Sequence, residues 1–325
     1  MKKGFRFLLL FILGNMIYTN VYCWGFWAHQ KINYYSVFLL PPEMVAFFKP
    51  NIDFISEHAV DPDKRRYAIA DEGGRHFIDI DYYGEYPYAE LPRDYKKAVE
   101  KFSEDTIKKY GIVPWHVQIM LQRLTNAFKD KNYSRILKTS TEIGHYISDA
   151  HVPLHATMNH NGQYSNQKGI HAFWESRVPE LLADKRFDFF IGKAEYIEDP
   201  GAFIWDRVLE SALAVDTVLS VEKELTKTFR EDQKYSFEER NGVVIRQYSS
   251  AFSNAFNDRL NGMIERRMRQ AIYAIASFWY TAWVNAGQPD LKSLLDQKFS
   301  EEDVKEFENL NESWRGGKIL GREEE

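Results

Sequence analysis

The sequence predicts an all-α protein built around one core, and three observations predict it. Apolar residues recur at helical spacing in long segments: Ile204, Val208, Ala212, Val215 and Leu219, then Ile264, Met268, Ala271, Ile272, Ile275, Trp279 and Ala282. No clear strand run, internal repeat or glycine-rich phosphate loop interrupts them. The composition is that of an ordinary globular chain, with 325 residues, 44% hydrophobic and 27% charged, which excludes a disordered or collagenous protein. An aromatic share of 15% calls for bulky helix packing or a ring-lined pocket. The formal charge of −5 exerts no overall pull on nucleic acid or anionic lipid.

Residues 1–23 read as a signal peptide and not as part of the fold. Lys2, Lys3 and Arg6 precede an apolar run over 7–13 that is well short of the ~20 residues needed to cross a bilayer. Cleavage after Cys23 leaves Trp24 first, and loss of the three basic residues takes the formal charge from −5 to −8. A lipid-anchored Cys23 is the competing reading, but Tyr22 before it is large for that signal. The expected location is therefore periplasmic or secreted. The mature chain has no cysteine, so disulfides are excluded, and metal is one alternative source of stability.

The elements follow in order. Residues 28–60 are helical in pattern, broken at Pro41, Pro42 and Pro50. Residues 75–88, rich in Tyr, Asp and Gly, read as an ordered loop. Asn132 caps a helix running to about Ala150, closed by Pro153. A loop over 155–169 precedes a short helix from Ile170 to about Leu182. The two long amphipathic helices come next, the second stopped by Gly287 and Pro289. The domain spans 24–308, and 309–325 is expected to be a loose tail.

The histidines carry the functional information. Five of the nine, His145, His151, His155, His160 and His171, fall within 27 residues, where even spreading would place fewer than one. His145 and His171 each have a carboxylate four residues later, Asp149 and Glu175. On a helix that spacing puts both side chains on one face, one turn apart, as two ligands of one metal require. Either pair alone is more often a salt bridge. The clustering beside a loop, in a chain without Cys, favours a metal site, and imidazole with carboxylate is a catalytic-type zinc set.

The run Gly144-His145-Tyr146-Ile147-Ser148-Asp149-Ala150-His151-Val152-Pro153-Leu154-His155, followed by His171-Ala172-Phe173-Trp174-Glu175, resembles the superfamily of zinc-dependent phospholipases C and single-strand-specific nucleases. The resemblance covers 24 to about 175, with a last helix to about 287. It implies an all-α, multi-helix domain around three zinc ions. One zinc would be held by Asp61, His76, His145 and Asp149. Asp61 stands fifteen residues before His76, and Asp63 is its alternative. His155, His171 and Glu175 would hold a second. The third would take the α-amino and carbonyl groups of Trp24, the side chain of His29, and Asp149 as a bridge. Asp61 would also act as general base. His151 matches a position that is not a ligand, and His58, His116 and His160 match none.

What the resemblance implies for substrate divides. The five-residue step from Trp24 to His29, and Trp174, are like the nucleases. Glu175 in place of Asp, and the absence of disulfide cysteines, are like the phospholipases. Phe77 would stack a base or line a headgroup pocket, and Tyr82, Tyr83, Tyr86 and Tyr88 would do either or simply pack. The expectation is phospholipase C-type hydrolysis of a phosphodiester, with single-stranded nucleic acid or nucleotide as the alternative substrate. Transient membrane contact and no stable protein partner go with it. A non-catalytic exported zinc-binding protein is the alternative from another class.

Overall fold

In the computed structural model, which describes residues 25–240 and 242–320, helix boundaries follow the punctuation of the sequence. The segment expected to be a signal peptide, and Trp24, lie outside the described residues. Helix α1 (Phe26–Ser36) ends before the prolines, and short helical pieces at Pro42–Phe48 and Ile52–Glu57 are separated at Pro50. Next come α2 (Asp61–Arg65), α3 (Val113–Lys129) and α4 (Tyr133–Asp149). The Asn132 side chain accepts from the backbone N–H of Arg135 at 2.9 Å and caps α4 as expected. Beyond the loop lie α5 (Val178–Arg186), α6 (Pro200–Thr226), α7 (Ser250–Arg259), α8 (Met263–Asn285) and α9 (Glu301–Gly316). Among the described residues the fold is all-α apart from one hairpin.

Helices α1, α3, α4 and α8 pack together, and the aromatic excess fills the space between them. Phe47, Phe48, Phe128, Phe278 and Trp279 are fully buried; Phe48 stacks on Trp279 at 5.1 Å. The indole N–H of Trp279 donates to the Ser140 carbonyl at 3.0 Å, so this ring is buried without an unpaired donor. Helices α1 and α4 approach closely because position 144 is glycine. A Cβ there would lie 2.2 Å from Asn33 Oδ1, and Asn33 itself donates to the Thr141 carbonyl at 3.1 Å. This contact lays His29 of α1 against His145 of α4.

The end of α4 is also held. Ser211 of α6 donates to the Ala150 carbonyl at 2.8 Å, and Arg267 of α8 donates to the His151 carbonyl at 2.8 Å. Helix α6 packs on the 3-10 turn Pro153–Ala156, which carries His155.

Three features correct the sequence reading. A two-stranded antiparallel hairpin, β1 (Tyr235–Arg240) and β2 (Val243–Tyr248), pairs Arg240 with Val243 across a two-residue turn. Asn-Gly at 241–242 between alternating residues is a strong hairpin signal, and Gly242 has φ +78° as such a turn demands. Second, the helix from Ile170 contains a π turn, Phe173–Arg177. The hairpin base supports this turn: Phe173 stacks on Tyr248 at 3.8 Å, and Arg177 donates to the Tyr248 carbonyl at 3.1 Å. Third, the tail expected to be loose from Asn309 is helical to Gly316. A Ser300/Asp303 capping box starts α9, and Lys138 of α4 pairs with Asp303 and Glu306 at 2.7 and 2.6 Å. The Trp314 ring of α9 meets the Phe26 ring of α1 with centroids 5.4 Å apart.

Candidate metal centre

Among the described residues, three groups of buried His, Asp and Glu side chains bring their ligand atoms within 4.8 Å of one another: His29/His145/Asp149, Asp63/His76/His145, and His155/His171/Glu175. Helix α4 supplies His145 and Asp149 one turn apart, and the α1–α4 contact stacks the His29 ring on His145 at 3.9 Å. The Asp149 carboxylate sits among three imidazoles. Its oxygens lie 3.4 Å from His29 Nε2, 3.0 Å from His76 Nδ1 and 3.3 Å from His145 Nε2. The first two groups therefore share His145 and meet at Asp149.

Helix phase decides between the two aspartates of α2. Residues two apart on a helix project roughly 200° apart, so only one can face the histidines. Asp63 does, 3.7 Å from His76 and 3.6 Å from His145. Asp61 points the other way, accepting from His58 at 2.6 Å and Lys64 at 2.9 Å. This corrects the assignment of Asp61: it is taken up in an ion-pair cluster and is not among the donors. Burial works against its charge, yet His58 and Lys64 hold its carboxyl below the ordinary value. Asp63 behaves oppositely, since burial pushes it up to about 6 despite the His76 and His29 rings.

The third group assembles as the sequence suggested. His155 and His171 Nε2 are 3.2 Å apart, and Glu175 lies 3.4 and 3.1 Å from them. Backbone carbonyls orient the rings. His145 Nδ1 donates to Ala59, His155 Nδ1 to His76, and His171 Nδ1 to His160, at 2.8, 2.7 and 3.3 Å. Each such bond leaves the Nε2 lone pair facing inward as a metal requires.

Donor chemistry fits a cation. Asp63, Asp149 and Glu175 are buried carboxylates, and Asp63 Oδ2 has no hydrogen-bond partner. Burial opposes the charge of Asp149, but His145, His155 and hydrogen bonds from His29 and His76 hold its pKa far down. Grouped buried carboxylates need compensating positive charge. The expected donor Trp24 lies outside the described residues. Its neighbour Gly25 donates its backbone N–H to Ser176 Oγ, next to Glu175, at 2.7 Å.

The other residues expected at the site sort by burial. Phe77, expected to touch substrate, is 2% exposed and packed beside Gly111, so it offers no open face. Tyr83 is buried too, whereas Tyr82 and Tyr86 are exposed. His151 is buried with Nδ1 on the Ile147 carbonyl and joins none of the three groups. His160 is half-buried and donates from Nδ1 to the Met158 carbonyl at 3.3 Å. Sequence reasoning missed Glu72, which is fully buried beside His76; its signal is the four-residue step to His76, with the carboxylate ahead of the histidine.

His116 is a buried neutral histidine set edge-on to Tyr146 at 4.5 Å. Burial first, then the charge of Arg75, pushes its pKa down to about 3. Below its ordinary 6.5 the unfolded chain binds a proton that the folded chain refuses. Stability therefore falls with pH from there towards 3, by up to about 1.4 kcal/mol per unit. His116→Phe is expected to lessen the slope of thermal midpoint against pH between 6 and 4, the rest of the limb belonging to the buried His145 and His151, whose pKa values burial also lowers. An acid limb as steep as that of the wild type would assign the loss to another group.

No known protein-family profile matches the chain, and no curated protein is significantly similar to it. Among the described residues, no helix is long and apolar enough to cross a membrane.

Proposed function

We propose that this chain is an exported zinc-dependent phosphodiester hydrolase of phospholipase C type, in the superfamily its His-rich segment resembles. The supporting observation is the position of Asp149, one carboxylate among His29, His76 and His145, where two buried donor groups meet. Imidazole nitrogen and carboxylate oxygen without thiolate suit zinc. Zinc bound there supplies a water acidic enough to give hydroxide near neutral pH, and positive charge for the phosphoryl oxygens.

The chain's own residues do the rest. His145 and His155 hold their Nε2 lone pairs inward through their bonds to backbone carbonyls. Asp63 Oδ2, buried and without a partner, accepts the proton of the attacking water, the role first read for Asp61. As a buried carboxylate with a free oxygen, it is the base that the donor set offers. Attack in line at phosphorus breaks the P–O bond with no covalent protein intermediate.

A nuclease action on single strands is the second reading, and the exposed rings of Tyr82 and Tyr86 favour it, since stacking platforms bind unpaired bases. A panel of phosphatidylcholine, single-stranded DNA and RNA, and a nucleoside monophosphate separates the two. Cleavage of phosphatidylcholine, lost under chelator and restored by zinc, is the expected result. Cleavage of nucleic acid alone would reverse the order. A zinc-loaded protein that cleaves nothing would be a binding protein.

Export is tied to this reading through Trp24. A peptide nitrogen delocalises its lone pair and is a poor ligand, so only a free terminus there can bind zinc. Protein beginning at Trp24 is expected to hold three zincs, and protein with Met retained before Trp24 two. Equal zinc content by elemental analysis would remove Trp24 from the ligand set.

A further inference from the structure

Glu72 lies in the turn just before Gly73–Arg75 and is fully buried. Arg75 donates to its Oε2 at 2.5 Å, the Tyr146 hydroxyl donates to its Oε1, and Arg65 Nε stands 3.4 Å away. Each partner adjoins a donor of one metal group. Arg65 is two residues after Asp63 on α2, Arg75 directly precedes His76, and Tyr146 directly follows His145 on α4. One carboxylate thus ties together the three segments that carry Asp63, His76 and His145.

The His76 ring faces both ways. Its Nδ1 looks into the group, 3.0 Å from Asp149 and 3.0 Å from His145 Nε2. Its Nε2 is buried, makes no hydrogen bond, and has Glu72 Oε1 at 3.7 Å. A neutral imidazole carries its proton on one nitrogen only. A carboxylate at Nε2 keeps the proton there and the lone pair on Nδ1, and it makes that lone pair more basic. Burying a charge that only braces the fold is poorly repaid, because apolar replacements of such clusters are often as stable.

We infer that Glu72 is a positioning residue for the metal centre, its charge 3.7 Å from Nε2 favouring the His76 proton there so that Nδ1 is presented as a strengthened donor. This rests on the metal-binding part of the proposed function. Loss of such an outer partner typically costs about 10–100-fold in metal affinity.

The test is zinc affinity, measured by competition with a chromogenic chelator on mature protein. Glu72→Gln keeps the shape and removes the charge. It is expected to weaken one class of site by about 10–100-fold. A His171→Ala background, which disables the His155/His171/Glu175 group, should retain that weakened class. Tyr146→Phe removes only the hydroxyl on Oε1 and should weaken the same class less, so it decides the matter if Glu72→Gln does not fold. A lowered thermal midpoint with every zinc affinity unchanged would make Glu72 a brace and overturn the inference. Wild-type protein that binds zinc but cleaves no phosphodiester would overturn the hydrolase reading alone. Wild type that binds no metal would overturn both.

Discussion

Asp149→Asn is expected to cut phosphodiesterase activity by more than about 100-fold and to lower zinc content, with the helical fold retained. Outer partners alone cost up to about 100-fold in affinity, and this side chain is assigned to the ions directly. The substitution is nearly isosteric, so packing survives. It removes a charge from the point where His29, His76 and His145 converge. His160→Ala is the control, since its ring is half-buried and joins none of the three groups. Zinc by elemental analysis, circular dichroism and turnover of a chromogenic diester measure the effect. Wild-type activity in Asp149→Asn would discard the ligand map.

Stripping the metal is expected to lower the thermal midpoint by roughly 8 °C for each site emptied. A site filled at 1,000 times its dissociation constant adds about 4 kcal/mol, and in a domain this large each kcal/mol shifts the midpoint by about 2 °C. The donors come from α1, α2, the His76 loop, α4 and the segment 155–175, so bound ions join parts that are remote in sequence. Without metal, the imidazolium of His76 is the local counter-charge. Burial lowers its pKa, but the hydrogen bond to Asp149 and the nearby charges of Glu72 and Asp63 outweigh that and raise it to about 9. Its contribution is complete below the ordinary 6.5 and fades as pH rises through about 9. The gap between zinc-loaded and stripped protein should therefore widen from pH 6.5 to pH 9. A stripped protein with an unchanged midpoint at either pH would contradict a structural role for the metal.

Parts of the site that depend on local periodicity were legible in the sequence. His145 with Asp149 and His171 with Glu175 are spaced by one turn, and both pairs are in contact at 3.3 and 3.1 Å. The Asn132 cap and the proline breaks were legible for the same reason, since each acts within a few residues. The choice of Asp63 over Asp61 was not, because it depends on the phase of a five-residue helix that only its packing sets. Glu72 belongs to no motif. It is defined by partners from three segments that fold together. Two misses had signals in plain view: Asn-Gly between β1 and β2, and Ser300 with Asp303 ahead of Phe307, Leu310 and Trp314.

The meeting of Trp314 with Phe26 has a practical side. It sets the C-terminal helix beside the start of α1, and the Lys64 ammonium of α2 lies 5.9 Å from the same indole. Further on, the Leu320 N–H donates to the Arg66 carbonyl at 2.8 Å, just past α2. A surface linkage at Leu320 would thus be anchored close to α2, whose neighbour Trp314 touches Phe26, three residues from His29. Val244 on the hairpin, 65% exposed, is the better place for labels and immobilisation, since it leaves the positive φ of Gly242 untouched.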